Sequence, residues 1–163
     1  MSGIIGGAGS KSGVIGLSGS GLQSSFNVKL SAEQTDIASG ATVAFNTLKA
    51  SNIGGDFNTS TYKYTAPITG MYSFFINVYS MNIANDHNYY RPLLLTDNNE
   101  YGGSLIDTRV WDTSAWLFGQ NICTVTDMDA GDTAYVYINY AGSSGTDINH
   151  NSFFSGYFTG ITY

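Results

Sequence analysis

Beyond residue 24 the chain alternates. In residues 71–79 the even positions are Tyr72, Phe74, Ile76 and Val78, and residues 133–140 carry Ala134, Val136, Ile138 and Tyr140 in the same phase. Phe26, Val28 and Leu30 repeat the pattern near the start, as do Phe154, Gly156 and Phe158 near the end. A period of two marks strands with one buried face. Helical periodicity is nearly absent, and the one candidate, residues 31–37, is shorter than the ten or so residues a helix needs. Turn-forming clusters separate the runs: Asn52-Ile-Gly-Gly55, Asp97-Asn-Asn99, Asp129-Ala-Gly131 and Gly142-Ser-Ser-Gly145. Several short strands at this spacing predict an all-β antiparallel sandwich or jelly roll spanning residues 25–163.

The opposite faces of those strands are unusual. Phe75 and Tyr79 lie out of phase with Phe74, Tyr135 and Tyr137 with Val136, and Phe153 and Tyr157 with Phe154. An isolated sandwich places charge at such positions. Here charged residues are 11% of the chain and aromatic residues 14%, against a usual charged fraction of about a quarter. Scattered exposed tyrosines are the plainer reading. Recurrence on three strands favours burial against further copies, which makes these six residues the candidate self-association set.

The first 24 residues carry no alternation. Glycine and serine dominate, broken by Ile4-Ile5, Val14-Ile15 and Leu17. Ordering a glycine costs more backbone entropy than ordering any other residue, so this segment cannot build a core of its own. A flexible linker is the ordinary reading of such a tract. The near-repeat of Ser2-Gly-Ile-Ile-Gly6 in Ser12-Gly-Val-Ile-Gly16 favours an extended anchoring arm, residues 1–24, that lies in a narrow groove of a partner. Ile4, Ile5, Val14, Ile15 and Leu17 are its candidate anchoring side chains. Fully extended it reaches roughly 80 Å at about 3.3 Å per residue. A phosphate loop is excluded because Ser10, not glycine, precedes Lys11 and nothing before Gly3 can form a strand. Ser2 stands where myristoylation needs glycine, and a secretory leader needs an unbroken apolar stretch.

The net charge of −6 argues against nucleic-acid binding, which needs a basic footprint. Cys123 is the one cysteine, so no internal disulfide forms; it is expected as a small buried hydrophobe on a strand. The absence of disulfides and of a leader predicts assembly in a reducing cytoplasm. No run approaches the ~18 apolar residues of a membrane helix, so no membrane insertion is expected.

Five segments occur in a telling order: Ala44-Phe-Asn46, Asn52-Ile-Gly-Gly-Asp-Phe57, Tyr64-Thr-Ala-Pro-Ile-Thr-Gly-Met-Tyr-Ser-Phe75, Ala130-Gly-Asp132 and Asn151-Ser-Phe-Phe-Ser-Gly-Tyr157. From about Phe26 to the C-terminus the chain resembles the C1q-like globular domain of the C1q/tumour-necrosis-factor superfamily. Within that resemblance Pro67 is expected to start a strand, Gly70 to permit a turn or close approach, and Gly156 to admit a bulky ring. The resemblance implies a ten-stranded jelly roll that forms compact homotrimers. The collagen stalk that often carries such heads has no counterpart, since Gly-X-Y repeats are missing and proline occurs twice. The arm is similar to an N-terminal segment of many short virion-associated proteins of tailed phages.

Candidate chemistry is sparse. His87 and His150 lack metal-ligand spacing and read as solvated loop residues. Some relatives of the family bind calcium, but no site can be placed on these residues. Asp127, Asp129 and Asp132 read as a turn rather than a hydrolytic pair, and no nucleophile elbow is present. No cofactor or metal is expected. Tyr89, Trp111 and Trp116, in two Asn- and Asp-rich loops, are candidate contacts for a host surface glycan, although aromatics in β proteins mostly pack. The sequence thus predicts a non-enzymatic phage virion protein. Its homotrimeric knob would sit on the virion surface, held to a capsid or tail protein by the arm as a capsid decoration or short fibre. The alternatives are a tail-fibre tip or adhesin binding host glycan and, least supported, a glycan-degrading enzyme.

Overall fold

The computed structural model describes residues 24–161; the five candidate anchoring residues of the arm lie outside the described residues. Twelve strands occur among them. They are β1 (Ser25–Lys29), β2 (Gln34–Ile37), β3 (Thr47–Ile53), β4 (Phe57–Asn58), β5 (Lys63–Thr65), β6 (Gly70–Ile83), β7 (Tyr90–Thr96), β8 (Glu100–Gly102), β9 (Ala115–Met128), β10 (Thr133–Tyr140), β11 (Thr146–Ile148) and β12 (Phe153–Gly160). A single 3-10 turn, Thr108–Val110, is capped by the Asp107 carboxylate, which accepts from the Arg109 amide.

The strands form two antiparallel sheets. In the first, β6 pairs along its whole length with β9 on one side. On its other side β12 and β11 follow one another end to end, β12 flanked by β1 and then β3, and β11 by β2. The second sheet runs β4–β5–β10–β7–β8. Twelve strands thus stand where the resemblance implied ten, several of them only two to four residues long.

The predicted inward positions face one core between the sheets. Tyr72, Phe74, Ile76 and Val78 are buried, as are Val28, Phe154, Val136 and Ile138. Phe26 is the hub. Its ring stacks on Phe57 at 4.8 Å and on Tyr64 at 4.9 Å, and meets Phe154 edge-on at 4.8 Å. That density explains Gly156, where a Cβ would lie 2.5 Å from Phe74 Cδ1. At Gly70 a Cβ would lie 2.5 Å from the Gly160 carbonyl oxygen, the close approach expected there.

Three expectations need correction. Pro67 does not start a strand: it sits in the bend between β5 and β6, where Tyr72 Oη donates to the Ile68 carbonyl at 2.5 Å. His87 is not a solvated loop residue. It is fully buried, its ring stacked on Tyr140 at 4.4 Å, with Nε2 2.8 Å from the Ser144 carbonyl oxygen. The stacked ring joins the loop before β7 to the loop after β10, a long-range contact that alternation does not encode. Cys123 is on a strand, as expected, but exposed, because its odd position on β9 points away from the core. His150 is exposed, as expected.

Candidate self-association interface

Residues facing one another across a ladder share a face of the sheet. Along the outer face of the first sheet, β12, β6 and β9 therefore present successive rows: Tyr157, Ser73 and Val125; then Ser155, Phe75 and Cys123; then Phe153, Asn77 and Asn121. Beyond them Tyr79 faces Gly119, and Met81 faces Leu117. None of these residues is Asp, Glu, Lys or Arg; Asp127, facing Met71, stands beyond the Tyr157 end of the rows, and Lys49 Nζ lies 5.5 Å over the Phe153 ring. The rings of Phe75 and Tyr157 stack at 6.2 Å and 13° yet stay 39% and 45% exposed, beside Val125 at 54%. An apolar centre without charged side chains loses little electrostatically when a similar surface covers it.

One polar pair sits inside this patch. Asn77 Nδ2 donates to Asn121 Oδ1 at 2.6 Å, while the buried Asn77 Oδ1 has no partner among the described residues. At the upper end an open cavity of about 390 Å³ is lined by Tyr79, Leu117, Asn149 and Asn151.

The outer face of the second sheet differs. Lys63 Nζ lies 4.2 Å over the Tyr135 ring, and Tyr137 Oη donates to Glu100 Oε2 at 2.7 Å. Glu100 is also paired with Arg91 at 3.1 Å. Burial, and then the Glu100 carboxylate, push the Tyr137 hydroxyl up to about 12. Tyr135 and Tyr137 thus already have partners within the chain. The six candidate residues all point away from the core, but they divide four to two between opposite sides of the molecule. Period-two alternation identifies the outward side of a strand without revealing which sheet the strand joins.

The three candidate glycan residues have different surroundings. Trp111 packs on Phe118 at 6.0 Å against the core, and Tyr89 Oη donates to Asn139 Oδ1 at 3.3 Å. Trp116 is 75% exposed. Asp129 and Asp132 form the expected turn, Asp132 Oδ2 accepting from the Asp129 amide at 2.8 Å, whereas Asp127 lies on β9, exposed and facing Met71, because the strand runs on to Met128. Nearby loops are tied by Asp86, whose carboxyl is held below the usual carboxylate range by the Ser143 hydroxyl and amide.

A family model described as the C1q domain matches residues 25–159. The chain belongs to the C1q domain family. No curated protein matches its sequence. Solved structures share the fold at low identity. The globular domain of zebrafish complement 1qA is 14% identical, with 86% of this chain and 99% of that one covered and a TM-score of 0.59. Eiger TNF from S. frugiperda is 11% identical, with 87% and 94% covered and a TM-score of 0.61. Murine APRIL is 9% identical, with 84% and 99% covered and a TM-score of 0.56. Most of β6 in this C1q domain was legible as alternation; β9 and its pairing with β6 were not. The orphaned Asn77 oxygen and the cavity above it were not, because both depend on which strands lie side by side.

Proposed function

We propose that this C1q domain is the head of a non-catalytic virion structural protein of a tailed phage. Three copies join through the uncharged face around Phe75 and Tyr157 into a knob. The knob is made in the host cytoplasm and displayed on the virion surface, as a capsid decoration or short fibre. Residues 1–24 of each copy tether it to a capsid or tail protein. The observation that carries self-association is the exposed Phe75–Tyr157 stack, whose ladder neighbours Ser73, Val125, Ser155 and Cys123 are all uncharged. The tether draws on the composition of the arm and its similarity to virion-protein segments. Three weak arm contacts held on one knob reinforce one another through effective concentration.

Removal of residues 1–22 tests both halves. The truncated head is expected to remain trimeric by light scattering and to be missing from purified particles. Normal incorporation of the truncated chain overturns the tether. A head that stays monomeric at every concentration overturns self-association.

A further inference from the structure

We infer that Trp116 of one copy seats in the cavity beside Tyr79 of the next, making an aromatic knob-and-socket the anchor of the self-association face. This rests on the self-association reading. Trp116 stands near the start of β9, whose ladder partner is β6 alone, so the other edge of that strand carries no further strand among the described residues. Its indole is 75% exposed and does not line the cavity in its own chain. Buried tryptophans in pockets dominate the energetics of interfaces, whereas an indole left in water contributes nothing.

The cavity suits such a side chain. About 390 Å³ accommodates a large aromatic group, and the Tyr79 ring lies flat over Gly119, where a Cβ would come within 3.0 Å of Cε1. Asn149 on its polar rim is already committed. Asn149 Nδ2 donates to Glu33 Oε1 at 3.2 Å, and Asn149 Oδ1 accepts from the Asn151 amide at 2.9 Å. That leaves few groups to meet the hydroxyls of a sugar, and favours an apolar occupant. An indole N–H needs an acceptor once buried, and the side-chain carbonyls of Asn149 and Asn151 on the cavity lining can supply one. Knob and socket are different patches, so the contact is head-to-tail and a closed ring satisfies every copy.

Tryptophan emission tests this in the intact chain. With Trp111→Phe as background, Trp116 is the sole indole. Its emission is expected to shift to the blue, and its quenching by acrylamide to fall, as dilute monomers associate. If that background folds poorly, the difference between wild type and Trp116→Phe gives the same reading. Trp116→Ala is expected to fold normally and to weaken association on the order of thirtyfold or more. Leu117→Arg, which fills the socket with charge, is expected to do likewise. A trimer whose Trp116 stays fully quenchable, or one that forms equally well with Trp116→Ala, overturns the placement and leaves self-association standing. Quenching of Trp116 by added glycan in the intact trimer overturns it also. A chain that never associates removes the reading on which it rests.

Discussion

At Gly156 a methyl group would sit 2.5 Å from Phe74 Cδ1 and 2.9 Å from Phe26 Cε1. Both rings are fixed by neighbours on either side, so neither can retreat cheaply. Gly156→Ala is expected to destabilise the head by about 1–3 kcal/mol, read by urea denaturation. Tyr137 sets a different limit. Its neutral hydroxyl donates to Glu100, and its ionisation is raised to about 12. The raised value means that the folded state holds the proton more tightly than the unfolded chain. The resulting stability is complete below about pH 10 and is lost as pH climbs toward 12. Urea midpoints of wild type are therefore expected to fall more steeply than those of Tyr137→Phe across that window. Parallel curves would show that the Glu100 contact contributes nothing to folding.

At the scale of elements, the two outer faces have opposite characters. The centre of the face built by β12, β6 and β9, around the stacked Phe75 and Tyr157 rings, is uncharged, with Asp127 at one end and Lys49 over Phe153; the face built by β5, β10, β7 and β8 is laced by Lys63, Glu100 and Arg91. A carboxylate at Phe75 would have to be desolvated when copies meet, whereas one at Tyr137 would remain in water. Phe75→Asp is expected to give soluble monomers by light scattering, and Tyr137→Asp to leave assembly intact. The reverse result would place the association face on the second sheet. Val136→Asp, which buries a charge between the sheets, is expected to abolish folding.

For the whole molecule, assembly and stability are linked by mass action. If the uncharged face is covered only in the trimer, the melting temperature rises with protein concentration. Cys123 gives a direct reporter: it is the one cysteine, it is exposed, and it faces Phe75. Alkylation of Cys123 is expected to be slow at concentrations where the trimer forms and fast in Phe75→Asp. Equal rates in both would show that copies meet elsewhere. The same logic separates head from arm, since loss of residues 1–22 should leave this protection unchanged.

Local chemistry in the sequence determined the class of fold and much of its core. The period-two runs around Phe74, Val136, Val28 and Phe154 specify strands with one dry face, because side chains on a strand alternate whatever the strand pairs with. The turn clusters at Gly54, Gly55 and Gly131, all with positive φ, fixed where those strands end. Only the tertiary structure decided what alternation leaves open: that Tyr137 and Phe75 stand on opposite sides, that His87 is stacked on Tyr140 inside the molecule, and that Cys123 is exposed. Each of these depends on long-range pairing between strands far apart in the chain, and a pattern confined to one strand carries no record of its neighbours.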